Sequence, residues 1–318
     1  MKVIDIINNA KGKTLFSFEV LPPRKGEGIQ SLFDCIDTLM EFKPAFIDVT
    51  YSREQIKEIQ TEEGLVKRRT SSKRPGTVGI CAAIINRYNV ETVPHLICGG
   101  FTKDETENAL MDLGYLGIEN ILAMQGDKMT FESEFIPTKH GHAYASDLID
   151  QIVDMNKGQY LDENLGSTAA TNFCISAACY PEKHFAAKSI EEDIKYLKQK
   201  IELGAEYLVT QMFFDNQKFF EFVKLCRANG ITVPIIPGLK PMSTKRQLEV
   251  LPNMFFIDIP EELRKSVEAC KDNHEVKKVG IDWAIKQSKE LKEAGVPVLH
   301  YYTMSRATST AAIAKAVF

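Results

Sequence analysis

The chain has no C-x-x-C pair. Its seven cysteines, Cys35, Cys81, Cys98, Cys174, Cys179, Cys226 and Cys270, are scattered and odd in number. That argues against a disulfide framework or a structural zinc knot and predicts reduced thiols in a cytoplasmic protein. Charge of one sign is lacking too. Thirty-nine Lys and Arg face forty-three Asp and Glu, a net of -4, so no global field draws the chain to nucleic acid or anionic membrane. No apolar run approaches the ~20 residues of a membrane-spanning helix. The opening MKVIDIINNAKGK lacks the apolar stretch of a signal peptide and reads as a short surface helix. No G-x-G-x-x-G follows the first strand-like run, Gly26-Glu-Gly28 lying too far past it, and no Walker-type loop occurs.

What recurs is a short run rich in β-branched and aromatic residues. Eight can be counted: 14–20, 45–51, 93–99, 120–126, 173–180, 207–214, 233–238 and 297–303. Near-continuous apolar strands suit a sheet buried on both faces. Helical patterns separate them. Residues 32–40 place Leu32, Phe33, Ile36, Leu39 and Met40 on one face. Residues 189–203 open with Ser189 and Glu192, a capping box, and stop before Gly204, and 216–229 ends at Gly230. At 318 residues and 44% hydrophobic, eightfold strand–helix alternation predicts an α/β fold: a (β/α)8 TIM barrel forming one catalytic domain over 1–318, with an N-terminal helix. An open doubly wound sheet is the runner-up.

In such a barrel the chemistry gathers at strand C-termini. Those ends supply Glu19, Thr50, His95, Gln125, Asp127, Tyr180, Gln211, Tyr302 and Thr303. Any one of them fits a loop start or a helix cap, but their convergence favours a site. Glu19 shares a strand face with Ser17 and precedes a Pro pair. Apolar walls there would raise its pKa and keep a proton available; pairing with Arg24 would instead keep it ionised. The charged stretch 52–76 and the segment 127–146 are long enough to overhang the mouth, whereas 156–172 precedes a strand and belongs at the opposite, quiet face.

The ordered pieces FSFEVLPPR, DVTY, PHLIC, QGD, YASDL, CYPEKH, AKSIEEDIKYLKQKIELGAEYLVTQMFFD, IIPGLKP and LHYYTMSRA, from about residue 12 to 316, together resemble the methylenetetrahydrofolate reductase family. The resemblance implies a flavin-containing barrel with bound FAD and NADH or NADPH as co-substrate. It implies reduction of 5,10-methylenetetrahydrofolate to 5-methyltetrahydrofolate in ping-pong fashion, and a homo-oligomer. Carried over by motif, Glu19 is the general acid that protonates the departing nitrogen so that the methylene bridge opens to an iminium ion. Asp127 is a fixed charge beside flavin and pterin that steadies that cation. Gln211 hydrogen-bonds the pterin, and Glu19, Asp127, Gln247 and Arg306 complete the substrate contacts, although Arg306 equally suits a helix cap. The FAD set is Thr50, His95, Gln125, Gly126, Asp127, Tyr144, Ala145, Tyr180, His184, Asp193, Tyr196 and Lys200. In it Asp193, Tyr196 and Lys200 lie on one polar helix face, an arrangement that is more often simply solvated. No metal is expected.

Three positions depart from the pattern. Many members carry arginine at Gln125, some a basic residue at Gln199, and some an aromatic ring near Leu251 that stacks on the folate benzoyl group. The end at Phe318 leaves no space for the C-terminal regulatory domain of eukaryotic relatives, so a short bacterial-type enzyme without adenosylmethionine control is expected. A rival reading is a pterin-binding barrel methyltransferase. Its metal-dependent form needs a thiolate cluster, and Cys98 alone, or His140 with His142, makes a poor site. A non-catalytic folate or flavin binder is disfavoured by an unpaired acid at Glu19. The basic run Lys67-Arg68-Arg69 with Lys73-Arg74 is offset by acids at 54, 58, 62 and 63, lacks interleaved aromatics, and reads as a solvated loop; contact with a polyglutamyl tail or a cofactor phosphate is a lesser reading. No ribose or phosphate clamp separates NADH from NADPH.

Overall fold

A computed structural model describes residues 1–61, 64–71, 73–129, 132 and 134–318. All eight expected strand positions form. They are β1 (Leu15–Val20), β2 (Phe46–Val49), β5 (Glu91–Ile97), β6 (Asn120–Met124), β7 (Cys174–Cys179), β8 (Ala205–Thr210), the pair β9 (Ile235–Ile236) and β10 (Gly238–Leu239), and β11 (Val298–Tyr302). All pairings among them are parallel, in the order β10-β11-β1-β2-β5-β6-β7-β8-β9. The seventh strand position is broken at Pro237, which cannot donate to a ladder. Its first half pairs with β8 and its second half with β11, so the break joins the two ends of the sheet and closes the (β/α)8 barrel. The Pro237 carbonyl still accepts from the His300 N–H at 3.1 Å.

The helices are α1 (Val3–Asn9), α2 (Gln30–Leu39), α3 (Thr77–Tyr88), α4 (Lys103–Tyr115), α5 (Ala145–Asn156), α6 (Ile190–Leu203), α7 (Asn216–Ala228), α8 (Gln247–Phe255), α9 (Glu261–Ala269), α10 (Asn273–Glu293) and α11 (Ala307–Val317). Strand alternation divides the core. Outward residues such as Phe16, Phe18, Ile47, Leu96 and Ile121 pack under the helices. Inward residues Phe46, Val93, Leu122, Cys174, Tyr207, Val209, Ile236 and Val298 form a separate inner cluster. Each such buried side chain contributes about 1.5–3 kcal/mol. A third cluster, including Met212, Met242, Leu251, Leu263 and Val276, is built around α8, α9 and α10.

Three expectations need correction. The N-terminal helix is no mere surface element: Val3 is fully buried in the inner cluster, Ile4 and Ile7 pack on it, and Asn120 Oδ1 accepts from Val3 N at 2.7 Å. The helix plugs the barrel at its strand N-terminal end. The basic run from Lys67, expected in a solvated loop, is exposed at Lys67 and Lys73 but enters an antiparallel hairpin, β3 (Gln55–Gln60) with β4 (Val66–Ser71), pairing Glu58 with Arg68 in register. Of the acids counted there, 62 and 63 lie outside the described residues. The capping box of α6 is half formed. Ser189 accepts from Glu192 N at 3.3 Å, but the Glu192 carboxylate turns to Lys188 N at 2.6 Å. Residues 156–172 do lie before β7, at the strand N-terminal end, as expected.

Candidate active site

Three inward positions on adjacent strands create the centre of the site. Glu19 lies near the tip of β1, in register with Asp48 on one side and Tyr302 on the other. The Thr50 hydroxyl meets Glu19 Oε1 in a short hydrogen bond and is 3.2 Å from Val20 O. It can therefore donate to the carbonyl and accept from a protonated Glu19 without losing either bond. His95 Nε2 is 3.8 Å from Glu19 Oε2 and 3.3 Å from Asp48 Oδ2, and the three side chains are only 3%, 14% and 1% exposed. Burial pushes the Glu19 carboxyl up, opposed by His95, Thr50 and Lys240 and assisted by Asp48. Arg24, the alternative partner, is not among these neighbours; its N–H bonds Glu27.

Sequence reading missed Asp48, His300 and Lys240. Asp48 and Thr50 share one strand parity, as do His300 and Tyr302, and as do Ser17 and Glu19. Extending that parity inward from the named rim residues would have found Asp48 and His300. His300 Nδ1 shares a hydrogen bond of 2.8 Å with Ser17 Oγ. Burial lowers the pKa of both His95 and His300, so both rings are held toward neutrality. Burial raises Asp48 to about 6. A carboxyl raised on folding favours the native state below its ordinary value, and that support is lost as pH rises through about 6. Asp48→Asn should remove this decline, measured as a flatter urea midpoint across that interval.

A second group lies toward β7. Asp127 is open to the mouth, yet the surrounding protein raises its carboxyl pKa. Tyr180 feels both Asp127 and Asp193, and its ring lies 4.5 Å from His184. Asp193 accepts from His184 N at 2.8 Å, and Lys200 donates to Ala178 O at 3.3 Å. Burial lowers Lys200, opposed by Asp193, and lowers His184 to about 4, assisted by Lys200 and Lys183. Tyr196 does not join them; it is exposed and reaches Glu192 at 3.5 Å.

The remaining predicted residues divide by what already holds them. Gln125 Nε2 donates to Ala143 O at 2.8 Å, tying the 127–146 segment to β6. Gly126 has φ +84, and a Cβ there would come within 3.1 Å of Ile97, so its backbone alone fits this turn. Tyr144 caps α5 and is exposed, with Ala145 buried behind it. Gln211 Oε1 accepts from Met212 N at 2.9 Å. Gln247 Oε1 accepts from Ser243 N, Ser243 Oγ and Thr244 N, which commits it to the start of α8 and leaves its amide nitrogen as a donor. Arg306 stands at the N-cap position of α11 without a side-chain cap bond; burial lowers the pKa of Lys240, opposed by Glu19, and Arg306 adds to the lowering. Leu251 is buried among apolar residues. Among the described residues no cluster of His, Cys, Asp or Glu could hold a metal, and all seven cysteines are buried and unpaired. His142, once a metal candidate, bonds Gln151. No helix of the described residues is long and apolar enough to cross a membrane.

A family model described as methylenetetrahydrofolate reductase matches residues 2–317. The chain belongs to the methylenetetrahydrofolate reductase family. It is 33% identical to 5,10-methylenetetrahydrofolate reductase of Escherichia coli over 306 residues, covering 95% of this chain and 90% of that one. It is 32% identical over 317 residues to methylenetetrahydrofolate reductase (NADH) 1 of Arabidopsis thaliana, covering 96% and 49%. The chain thus spans about half the length of the plant reductases it matches. Among solved structures, an uncharacterized protein from Clostridium thermocellum that binds two copies of 5-methyl-5,6,7,8-tetrahydrofolic acid aligns with TM-score 0.58 at 15% identity, over 98% and 97% of the two chains. At that identity the likeness is one of fold. In this chain Glu19, Thr50 and His95 lie together near the C-terminal ends of adjacent barrel strands.

Proposed function

We propose that the chain reduces 5,10-methylenetetrahydrofolate to 5-methyltetrahydrofolate, with FAD as its bound cofactor and NADH or NADPH as the electron donor. The observation that carries this reading is Glu19, a largely enclosed carboxyl with a raised pKa beside Thr50 at the mouth of the family's barrel. The printed names of the plant relatives favour NADH. The reading places the enzyme in the cytoplasm.

The residues present suit FAD. Lys200 is a partly desolvated cation whose hydrogen-bond partner is the Ala178 carbonyl, so it has N–H capacity for a diphosphate. Gly126 presents backbone where a side chain would collide with Ile97. His95 Nδ1 is buried with no partner among the described residues. Thr50, His95, Gly126, Tyr180, His184, Asp193 and Lys200 would hold the cofactor, which supplies hydride transfer between nicotinamide and folate.

The chain's own residues supply the proton and the charge. Glu19 holds its proton against Thr50 and delivers it to the folate nitrogen that must leave when the methylene bridge opens. Asp127 faces the resulting cation with a carboxylate. Tyr302 donates to Thr210 O at 2.6 Å, fixing the wall between Glu19 and Tyr180. Gln211 offers its amide to the pterin edge.

The purified protein is expected to be yellow, to bleach anaerobically with NADH or NADPH, and to regain colour with methylenetetrahydrofolate. Colourless protein, or bleached protein that the folate leaves unchanged, would refute the proposal. Lys200→Met should weaken FAD retention about 10- to 100-fold, the equivalent of one charge-assisted hydrogen bond, measured by fluorescence titration of the apoprotein.

A further inference from the structure

We infer that Asp48 is a positioning residue: it takes the single N–H of His95 that would otherwise pair with Glu19. A neutral imidazole has one N–H donor. His95 Nε2 lies between two carboxyls, at hydrogen-bond distance from Asp48 at 3.3 Å and beyond it from Glu19 at 3.8 Å. The choice is built into the sheet. Glu19 and Asp48 are register partners on β1 and β2, both inward, and His95 enters from β5 on the far side of Asp48.

The groups facing Glu19 can be named element by element. β2 brings Asp48 and Thr50, β5 brings His95, and β11 brings Tyr302. The segment after β10 brings Lys240, which itself feels Arg306. Thr50 favours the carboxylate by donating to it, although its hydroxyl can also accept from the acid. Lys240 and His95 favour the carboxylate, and Asp48 counters both, by its negative charge and by holding the His95 N–H. Asp48 is backed in turn by His300 on β11, whose ring is fixed through Nδ1 by Ser17. Asp48 Oδ1 and His300 Nε2 are each buried without a hydrogen-bond partner among the described residues, so His300 acts on Asp48 through charge alone.

With Asp48 replaced, the His95 N–H swings to Glu19 and the proton is lost at lower pH. The consequence for turnover rests on the proposed reaction; the consequence for Glu19 itself does not. The test uses Asp48→Ser and Asp48→Asn in the purified holoprotein without folate. The carboxylic-acid carbonyl band of Glu19, identified by its loss in Glu19→Gln, is titrated by difference infrared spectroscopy. Its midpoint is expected to fall by about one pH unit or more in Asp48→Ser, whose hydroxyl is too short to reach His95, and by less in Asp48→Asn, whose amide oxygen keeps the reach of the carboxylate. Above the new midpoint the folate half-reaction should slow about tenfold per unit, while an unchanged far-ultraviolet circular dichroism spectrum reports that each variant is folded. A Glu19 midpoint that is unmoved or raised in the folded variants overturns the inference, even if activity falls. Absence of any folate reaction in the unsubstituted protein would refute the proposed function and leave the infrared result standing.

Discussion

Glu19→Gln should bleach with the nicotinamide at close to the normal rate and fail to regain colour with methylenetetrahydrofolate. The two half-reactions ask different things of this side chain. Electron entry needs no proton at the folate, and the amide preserves the shape of the wall between Thr50 and His95. Opening the methylene bridge needs an acid, and glutamine has none. The loss in the folate half-reaction should be about 10²–10⁴-fold, the usual contribution of a positioned acid. Anaerobic stopped-flow measurement of each half-reaction separates them. Equal loss in both would mean that residue 19 serves flavin binding rather than proton delivery.

Gly280→Ala should produce the largest loss of stability. Gly280 is buried in α10, where a Cβ would fall 1.9 Å from the carbonyl oxygen of Met242 and 2.7 Å from its carbonyl carbon. The obstacle is backbone, so no rotamer change relieves it. Either α10 moves away from the segment after β10, opening the apolar cluster around Met242, Leu248 and Val276, or the helix does not seat. Overpacking of this kind costs about 1–3 kcal/mol, and contact with rigid backbone puts this case at the upper end. Chemical denaturation should show a lowered midpoint with an unchanged slope. A midpoint within experimental error of the parent would show that α10 does not pack as described.

The barrel was legible in the chain because parallel strands buried on both faces must be written in nearly continuous apolar residues, and all eight such runs formed strands. Their connections were less legible. The hairpin at Gln55–Ser71 carries Ile56 and Ile59 three residues apart, which gives no alternation to read, and its charges resemble a solvated loop. The run 233–238 reads as one strand, whereas Pro237 inside it is the point where that strand position changes neighbours and the barrel closes. In the site, Glu19 announced itself by standing before a Pro pair, and Thr50 and His95 by their places near strand ends. Asp48 and His300 did not, because single polar residues inside apolar strands reveal their partners, His95 and Ser17, only once the strands are paired. Gln247 and Gln125 matched family positions, yet both are tied to backbone, a fact that depends on loop geometry no periodicity encodes.

The central claim is that Glu19 is an acid in the folded protein at near-neutral pH. The carboxyl ¹³C shift of Glu19, assigned by its absence from Glu19→Gln and followed across pH in the holoprotein, tests it most directly. A midpoint above the 4.5 of an ordinary glutamate is expected, because burial penalises the carboxylate. A midpoint at or below the ordinary value would contradict it, since the side chain would then reach the folate already ionised.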